Sequence, residues 1–277
     1  MEKKERVIVF VTGLILLLVF TFTDLQISLV IAKKPLFARI LEVVGEIPFT
    51  VLTLAGCGII VRFRSHESMV KKWFALVGGG VLFLLFSAMG GFMIWNYIRD
   101  NLGEAPRILI PVTGILMAGT AVWITLKVPA QNRSKALRYA ATALIYYLLV
   151  IIVMNSLKTV WGRMRFREMT DPVREFTRWY QICGRGSFNN AYASFPSGHS
   201  MNSAGVMLLL LLPDMIPDWK DRKKMFRICT YIWCIVVGAS RVFMGAHFAS
   251  DVTVGILISF VLFELVDIMI YKRKGSI

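Results

Sequence analysis

Charge is scarce in this sequence. Only 18% of the 277 residues are charged, and acidic side chains are scarcer than basic ones, with 17 Asp and Glu against 32 Lys and Arg. Soluble domains carry about 25% charge and less apolar surface than the 56% hydrophobic residues found here, so a soluble globular fold is excluded. Four cysteines make no disulfide framework: Cys57, Cys229 and Cys234 fall inside apolar runs, and Cys183 stands alone in a polar loop. They make no zinc site either, and no cluster of carboxylates for a divalent metal accompanies the polar motifs. Histidine is rarer still, at three residues. The formal charge of +15 does not point to nucleic acid, because the basic residues sit between hydrophobic spans and form no continuous stripe.

What the sequence does have is long apolar blocks. Eight read as spans: Val7 to Phe22, Ile47 to Val61, Trp73 to Tyr97, Ile108 to Lys127, Ala136 to Leu157, Gly198 to Pro213, Phe226 to Ser240 and Asp251 to Tyr271. Blocks this free of charge are what a bilayer demands of helices, because backbone polar groups inside it must be satisfied within the segment. The expected fold is all-α, a polytopic membrane helical bundle of about eight transmembrane helices. The N-terminal run resembles a signal peptide but lacks a small-residue cleavage site, so it reads as a retained first helix. The amphipathic stretch from Asp24 to Glu46 reads as interfacial.

The loops predict an orientation. Lys3, Lys4 and Arg6; Arg62, Arg64, Lys71 and Lys72; Lys127, Arg133, Lys135 and Arg138; Lys220, Arg222, Lys223, Lys224 and Arg227; and Lys272, Arg273 and Lys274 alternate along eight crossings. They hold 19 of the 32 basic residues on one side. The positive-inside rule makes that side, and both termini, cytoplasmic. Seven others (Lys158, Arg163, Arg165, Arg167, Arg174, Arg178 and Arg185) crowd into one outer loop, where an anionic ligand explains them better than topology does. Trp161, Trp179 and Tyr180 in the same loop fit either headgroup recognition or an interfacial aromatic belt.

Three polar clusters fall on that outer side. Lys158 and Arg165 close the fifth span. Pro196-Ser197-Gly198-His199 opens the sixth, where backbone N–H groups meet an anion, Gly198 permits close approach, and Ser197 donates a hydroxyl or caps the helix. Ser240-Arg241, His247 and Asp251 lie between the last two spans. The four-residue spacing of His247 and Asp251 puts both on one face of a helical turn, so the carboxylate can hold the imidazole N–H and leave the other nitrogen to attack. Arg241 offers a planar fork for phosphate oxygens, and His199 is placed to protonate a departing alkoxide. Taken singly, each cluster also reads blandly, as interfacial anchors, an ordinary turn, or a packed His with a helix cap. Two of the three His falling in them with three cations favours chemistry. The third, His66, reads as solvated surface.

Lys-x6-Arg, then Pro-Ser-Gly-His, then Ser-Arg-x5-His-x3-Asp resembles the type 2 phosphatidic acid phosphatase superfamily, which also includes glucose-6-phosphatase and the soluble vanadium haloperoxidases. The motifs cover Lys158 to Asp251, and one departure is Phe166, where the family usually has Pro. The resemblance implies six core helices with two extra ahead of the first motif, the catalytic core at residues 136–277 following N-terminal transmembrane helices and an interfacial segment in residues 1–135, all in a single membrane domain. It also implies that His247 is the nucleophile, Asp251 its orienting carboxylate and His199 the general acid. Lys158, Arg165, Ser197, Gly198 and Arg241 would then hold the phosphoryl group, with no cofactor and no metal. The implied activity is hydrolysis of a lipid phosphate or diphosphate at the extracytoplasmic face of the cell membrane. Undecaprenyl diphosphate, phosphatidylglycerophosphate, phosphatidic acid and the sugar phosphate of a lipid A are the candidate substrates. A lipid phosphotransferase using the same site is the alternative, and a non-catalytic membrane protein, suggested by Glu264 and Asp267 in the last span, is a third reading. Oligomeric state is not legible.

Overall fold

The computed structural model describes residues 3–63, 68–184 and 189–272. Arg64, His66, Arg185, Arg273 and Lys274, assigned to loops or the tail by sequence, lie outside them. The described residues contain helices and no strand. In chain order the helices are α1 (Lys3–Ile31), α2 (Leu36–Val44), α3 (Ile47–Arg62), α4 (Met69–Leu102), α5 (Leu109–Leu126), α6 (Arg133–Trp161), α7 (Pro172–Glu175), α8 (Gly198–Ser203), α9 (Leu212–Met215), α10 (Lys223–Phe243) and α11 (Ala249–Lys272).

Among the described residues, seven helical stretches are long and apolar enough to cross a membrane: Lys4–Ile31, Leu36–Arg62, Met69–Leu102, Leu109–Leu126, Ala130–Trp161, Pro217–Phe243 and Ala249–Tyr271. The architecture differs from the sequence expectation in two places. Asp24 does not begin an interfacial segment, because α1 runs on to Ile31 through it. The next helix, α2, joins α3 in one apolar stretch from Leu36 to Arg62. The segment read as the sixth span, Gly198 to Pro213, is not a long α-helix but α8, a 3₁₀ run over Ala204–Leu211, and α9.

The chain forms two compact units. One comprises Val43–Leu148, Gly205–Trp233 and Leu262–Ile277. Within it, Ser68 caps α4, accepting from the Lys71 N–H, and Gly103 ends the helix at a positive φ of 106°. α4 and α5 approach backbone to backbone: a Cβ on Gly91 would lie 2.1 Å from the Ile110 carbonyl oxygen, and one on Gly114 2.9 Å from that of Ser87. Small residues allow this closeness, which contributes dispersion where no hydrophobic drive separates helix from lipid. Asp267 pairs with Arg138 across α11 and α6 at 2.6 Å, so this acid links two helices. The other unit comprises Met1–Glu42, Leu149–Ala204 and Cys234–Val261, and holds every candidate site residue.

Candidate active site

Within that second unit, backbone hydrogen bonds stitch the three polar motifs together. The Ser194 N–H donates to the Arg163 carbonyl at 3.0 Å, and the Arg165 N–H to that of Ala191 at 2.8 Å, joining the first motif to the approach of the second. The Arg167 N–H reaches the Gly245 carbonyl at 2.9 Å, joining first to third, and the Ser197 N–H reaches that of Asp251 at 3.0 Å, joining second to third. The loop's aromatics lock this arrangement. The ring of Phe195 stacks on Trp161 at 4.7 Å and on Trp179 at 6.5 Å. Trp179 Nε1 donates to Thr21 Oγ1 on α1 at 2.9 Å, and Trp161 Nε1 to the Trp179 carbonyl at 2.6 Å. Trp161 and Trp179 therefore position the second motif from within.

His247 is only 2% exposed and sits in the turn between α10 and α11, which Gly245 permits with a φ of +60°. Its Nδ1 contacts the Ser194 carbonyl oxygen at 2.6 Å. A carbonyl only accepts, so Nδ1 carries the proton and Nε2 carries the lone pair. Burial, followed by the charges of Arg165, Lys158 and Arg241, pushes His247 well below the ordinary imidazole range, against the opposing bond to Ser194. The result is a neutral, buried imidazole of fixed tautomer with three cations about it.

Asp251 does not hold that imidazole directly. α11 begins at Ala249, so His247 precedes the helix and the four-residue spacing does not bring the two onto one face. Asp251 Oδ2 instead accepts from Ser194 Oγ at 2.6 Å and from the Phe248 N–H at 3.0 Å, a reach back to the start of its own helix. Asp251 thus fixes Ser194, and the Ser194 carbonyl fixes His247.

The expected phosphate-holding groups converge on the same place. Lys158 lies near the end of α6 with its Nζ 2.9 Å from where a Cβ on Gly198 would stand, so glycine is what admits the ammonium there. Ser197 takes the capping role, its Oγ accepting from the Ser200 N–H at 3.3 Å. His199 is buried in the first turn of α8, and shares with Arg241 the neighbourhood of Glu42. Arg165 Nη2 donates to Asn190 Oδ1 at 2.8 Å. Burial, with Arg167 and Arg241 nearby, pushes its guanidinium down to about 10. Arg241 Nη2 donates to Glu42 Oε1 at 2.7 Å. Its Nε and Nη1 are buried and, with Arg165 Nε, have no protein acceptor among the described residues. Buried guanidinium donors without acceptors are costly, and a bound oxyanion offsets that cost.

Three groups escape the sequence reading. Arg163 is fully buried and bridges two carboxylates, Asp251 Oδ1 at 2.5 Å and Asp24 Oδ2 at 3.2 Å, beneath the Phe248 ring at 4.1 Å. Asp24 and Glu42, from α1 and α2, are 2% and 6% exposed. Their only advance signal is that each is an acid inside an apolar stretch. By contrast, Arg174 and Arg178 of the same basic loop pair locally with Asp171 and Tyr180.

Residues 139–274 match the PAP2 superfamily. The chain is 43% identical over 75 residues to phosphatidylglycerophosphatase B of Bacillus subtilis (strain 168), a stretch covering 26% of this chain and 37% of that protein. The alignment thus spans about a third of that relative's length. No solved structure gives a significant match.

Proposed function

Because the chain belongs to the PAP2 superfamily, we propose that it is a multi-pass membrane phosphatase that hydrolyses a lipid phosphate through a phosphohistidine on His247. The observation that carries this reading is the state of His247: buried, bound through Nδ1 to a carbonyl, and ringed by Lys158, Arg165 and Arg241. An imidazole held so presents its Nε2 lone pair for attack on an electrophile that three cations attract.

The steps follow from these groups. Lys158, Arg165, Arg241 and the Ser197–Gly198 turn hold the phosphoryl oxygens, and Nε2 of His247 attacks phosphorus in line with the leaving alkoxide. His199 protonates that alkoxide as the P–O bond breaks. It then takes a proton from water, which attacks the phosphohistidine and frees the imidazole. Phosphoryl transfer needs mainly positioning and charge neutralisation, and fixed cations supply both without a divalent metal. The catalytic core is residues 136–277, to which the N-terminal helices add.

The distribution of basic loops supports cytoplasmic termini and a site at the extracytoplasmic face of the cell membrane. The substrate is a phosphate or diphosphate ester with its tail in the bilayer. The relative's name puts phosphatidylglycerophosphate first, ahead of phosphatidic acid, undecaprenyl diphosphate and a lipid A phosphate. The test is phosphate release by purified protein in mixed micelles from each lipid, with EDTA present and no acceptor alcohol added. Release from at least one lipid, lost by roughly 10⁴-fold in His247→Ala, is expected. No free phosphate and transfer of the phosphoryl group only to an added acceptor alcohol, or full activity in His247→Ala, would overturn the proposal.

A further inference from the structure

The N-terminal helix α1 lies outside the three motifs, yet it buries one acid against them. Asp24 Oδ1 accepts from the Ser250 N–H at 3.0 Å, and Oδ2 accepts from the Ser250 hydroxyl and from Arg163 Nη2 at 3.2 Å. Every partner is a donor, so both oxygens of the carboxylate are engaged as acceptors. A charge in a membrane-crossing helix is expensive and persists where a partner needs it. Here the partner leads inward. Arg163 Nη1 donates to Asp251 Oδ1, Asp251 Oδ2 accepts from Ser194 Oγ, and the Ser194 carbonyl accepts from Nδ1 of His247.

We infer that Asp24 is a positioning residue for the nucleophile, acting through Arg163, Asp251 and Ser194, so that α1 is part of the catalytic apparatus. This rests on the phosphatase reading of the site. Two carboxylates share one guanidinium in this cluster, an excess of acidic charge linked through Ser194 to the Nδ1 side of His247. That charge matters at one moment. When Nε2 bonds phosphorus and the leaving oxygen departs with the proton from His199, the ring keeps its Nδ1 proton and becomes cationic. A fixed anion linked to that proton stabilises the phosphohistidine and its flanking transition states. It does little for substrate binding, since both Asp24 oxygens are engaged by Ser250 and Arg163 and not by the phosphate-holding cations. Asp24 and Asp251 also both accept N–H groups at the N-terminus of α11, where a helix dipole favours anions.

The readout is therefore a split between kcat and KM. Asp24→Asn keeps shape and removes charge, and Asp24→Glu restores charge at the cost of one methylene. Assayed as full-length proteins in lipid mixed micelles and normalised to the folded fraction from size-exclusion chromatography, Asp24→Asn is expected to lose about 10- to 100-fold in kcat, the usual cost of an outer-shell partner, with KM within about twofold. Asp24→Glu is expected to recover several-fold of that loss. Should both misfold, Ser250→Ala removes the hydroxyl that donates to Asp24 and accepts from Arg163 Nη1 at 3.0 Å, and is expected to lower kcat a few-fold at constant KM. A wild-type kcat in Asp24→Asn or, where both Asp24 variants misfold, in Ser250→Ala overturns the inference. So does a loss that appears in KM, or one that Asp24→Glu fails to relieve. A wild-type protein that releases no phosphate from any lipid overturns the phosphatase reading instead.

Discussion

At the scale of single residues, the chemistry turns on which nitrogen of His247 holds a proton. The carbonyl of Ser194 decides this by geometry, and burial with three cations keeps the ring neutral. The pH consequence has a definite sign. His247 is held well below its ordinary 6.5 in the folded protein. The folded state therefore binds fewer protons there than the unfolded chain. The stability tied to this group is complete above pH 6.5 and drains away as pH falls from 6.5 toward the depressed value. The base limb of kcat/KM that reports the free nucleophile should accordingly lie well below pH 6.5, and a limb at or above 6.5 assigned to His247 by its variant would contradict the arrangement.

At the scale of elements, the motifs were legible because each is a short run with chemistry of its own, and their ends fall on helix termini that hydropathy marks. Three things were not. Ser194 acts through a backbone carbonyl, which side-chain identity cannot announce. The Asp251–His247 bond looked natural by helical spacing, but the helix starts two residues after His247. Asp24 and Glu42 stand more than 100 residues before Arg163 and Arg241, and only tertiary packing pairs them. The sixth span misled for another reason, since an apolar run shows no preference between α and 3₁₀ winding. The contribution of α2 is testable through Glu42, whose carboxylate steadies the Arg241 fork while repelling a bound phosphate. Glu42→Gln keeps an oxygen acceptor for Arg241 Nη2 and removes the charge. Inorganic phosphate should then inhibit about tenfold more strongly, the scale of one nearby charge in a partly desolvated site, as measured by the product-inhibition constant.

At the scale of the molecule, one compact unit draws its parts from three distant stretches of sequence, Met1–Glu42, Leu149–Ala204 and Cys234–Val261, and it contains the whole candidate site. Helices that hydropathy alone would assign to anchoring thereby enter the chemistry, and the boundary between an N-terminal region and a catalytic core is crossed by buried ion pairs. The proposed function depends on a covalent phosphate at one nitrogen. The direct measurement is to mix purified protein with a lipid carrying radiolabelled phosphate, quench within milliseconds to seconds in alkali, and map the labelled peptide. The account predicts an alkali-stable, acid-labile phosphate on His247, absent from His247→Ala and both formed and hydrolysed more slowly in His199→Ala, which lacks the group that serves both steps. Label on a different residue, or turnover of the lipid with no phosphoenzyme in either the wild type or His199→Ala, would contradict it.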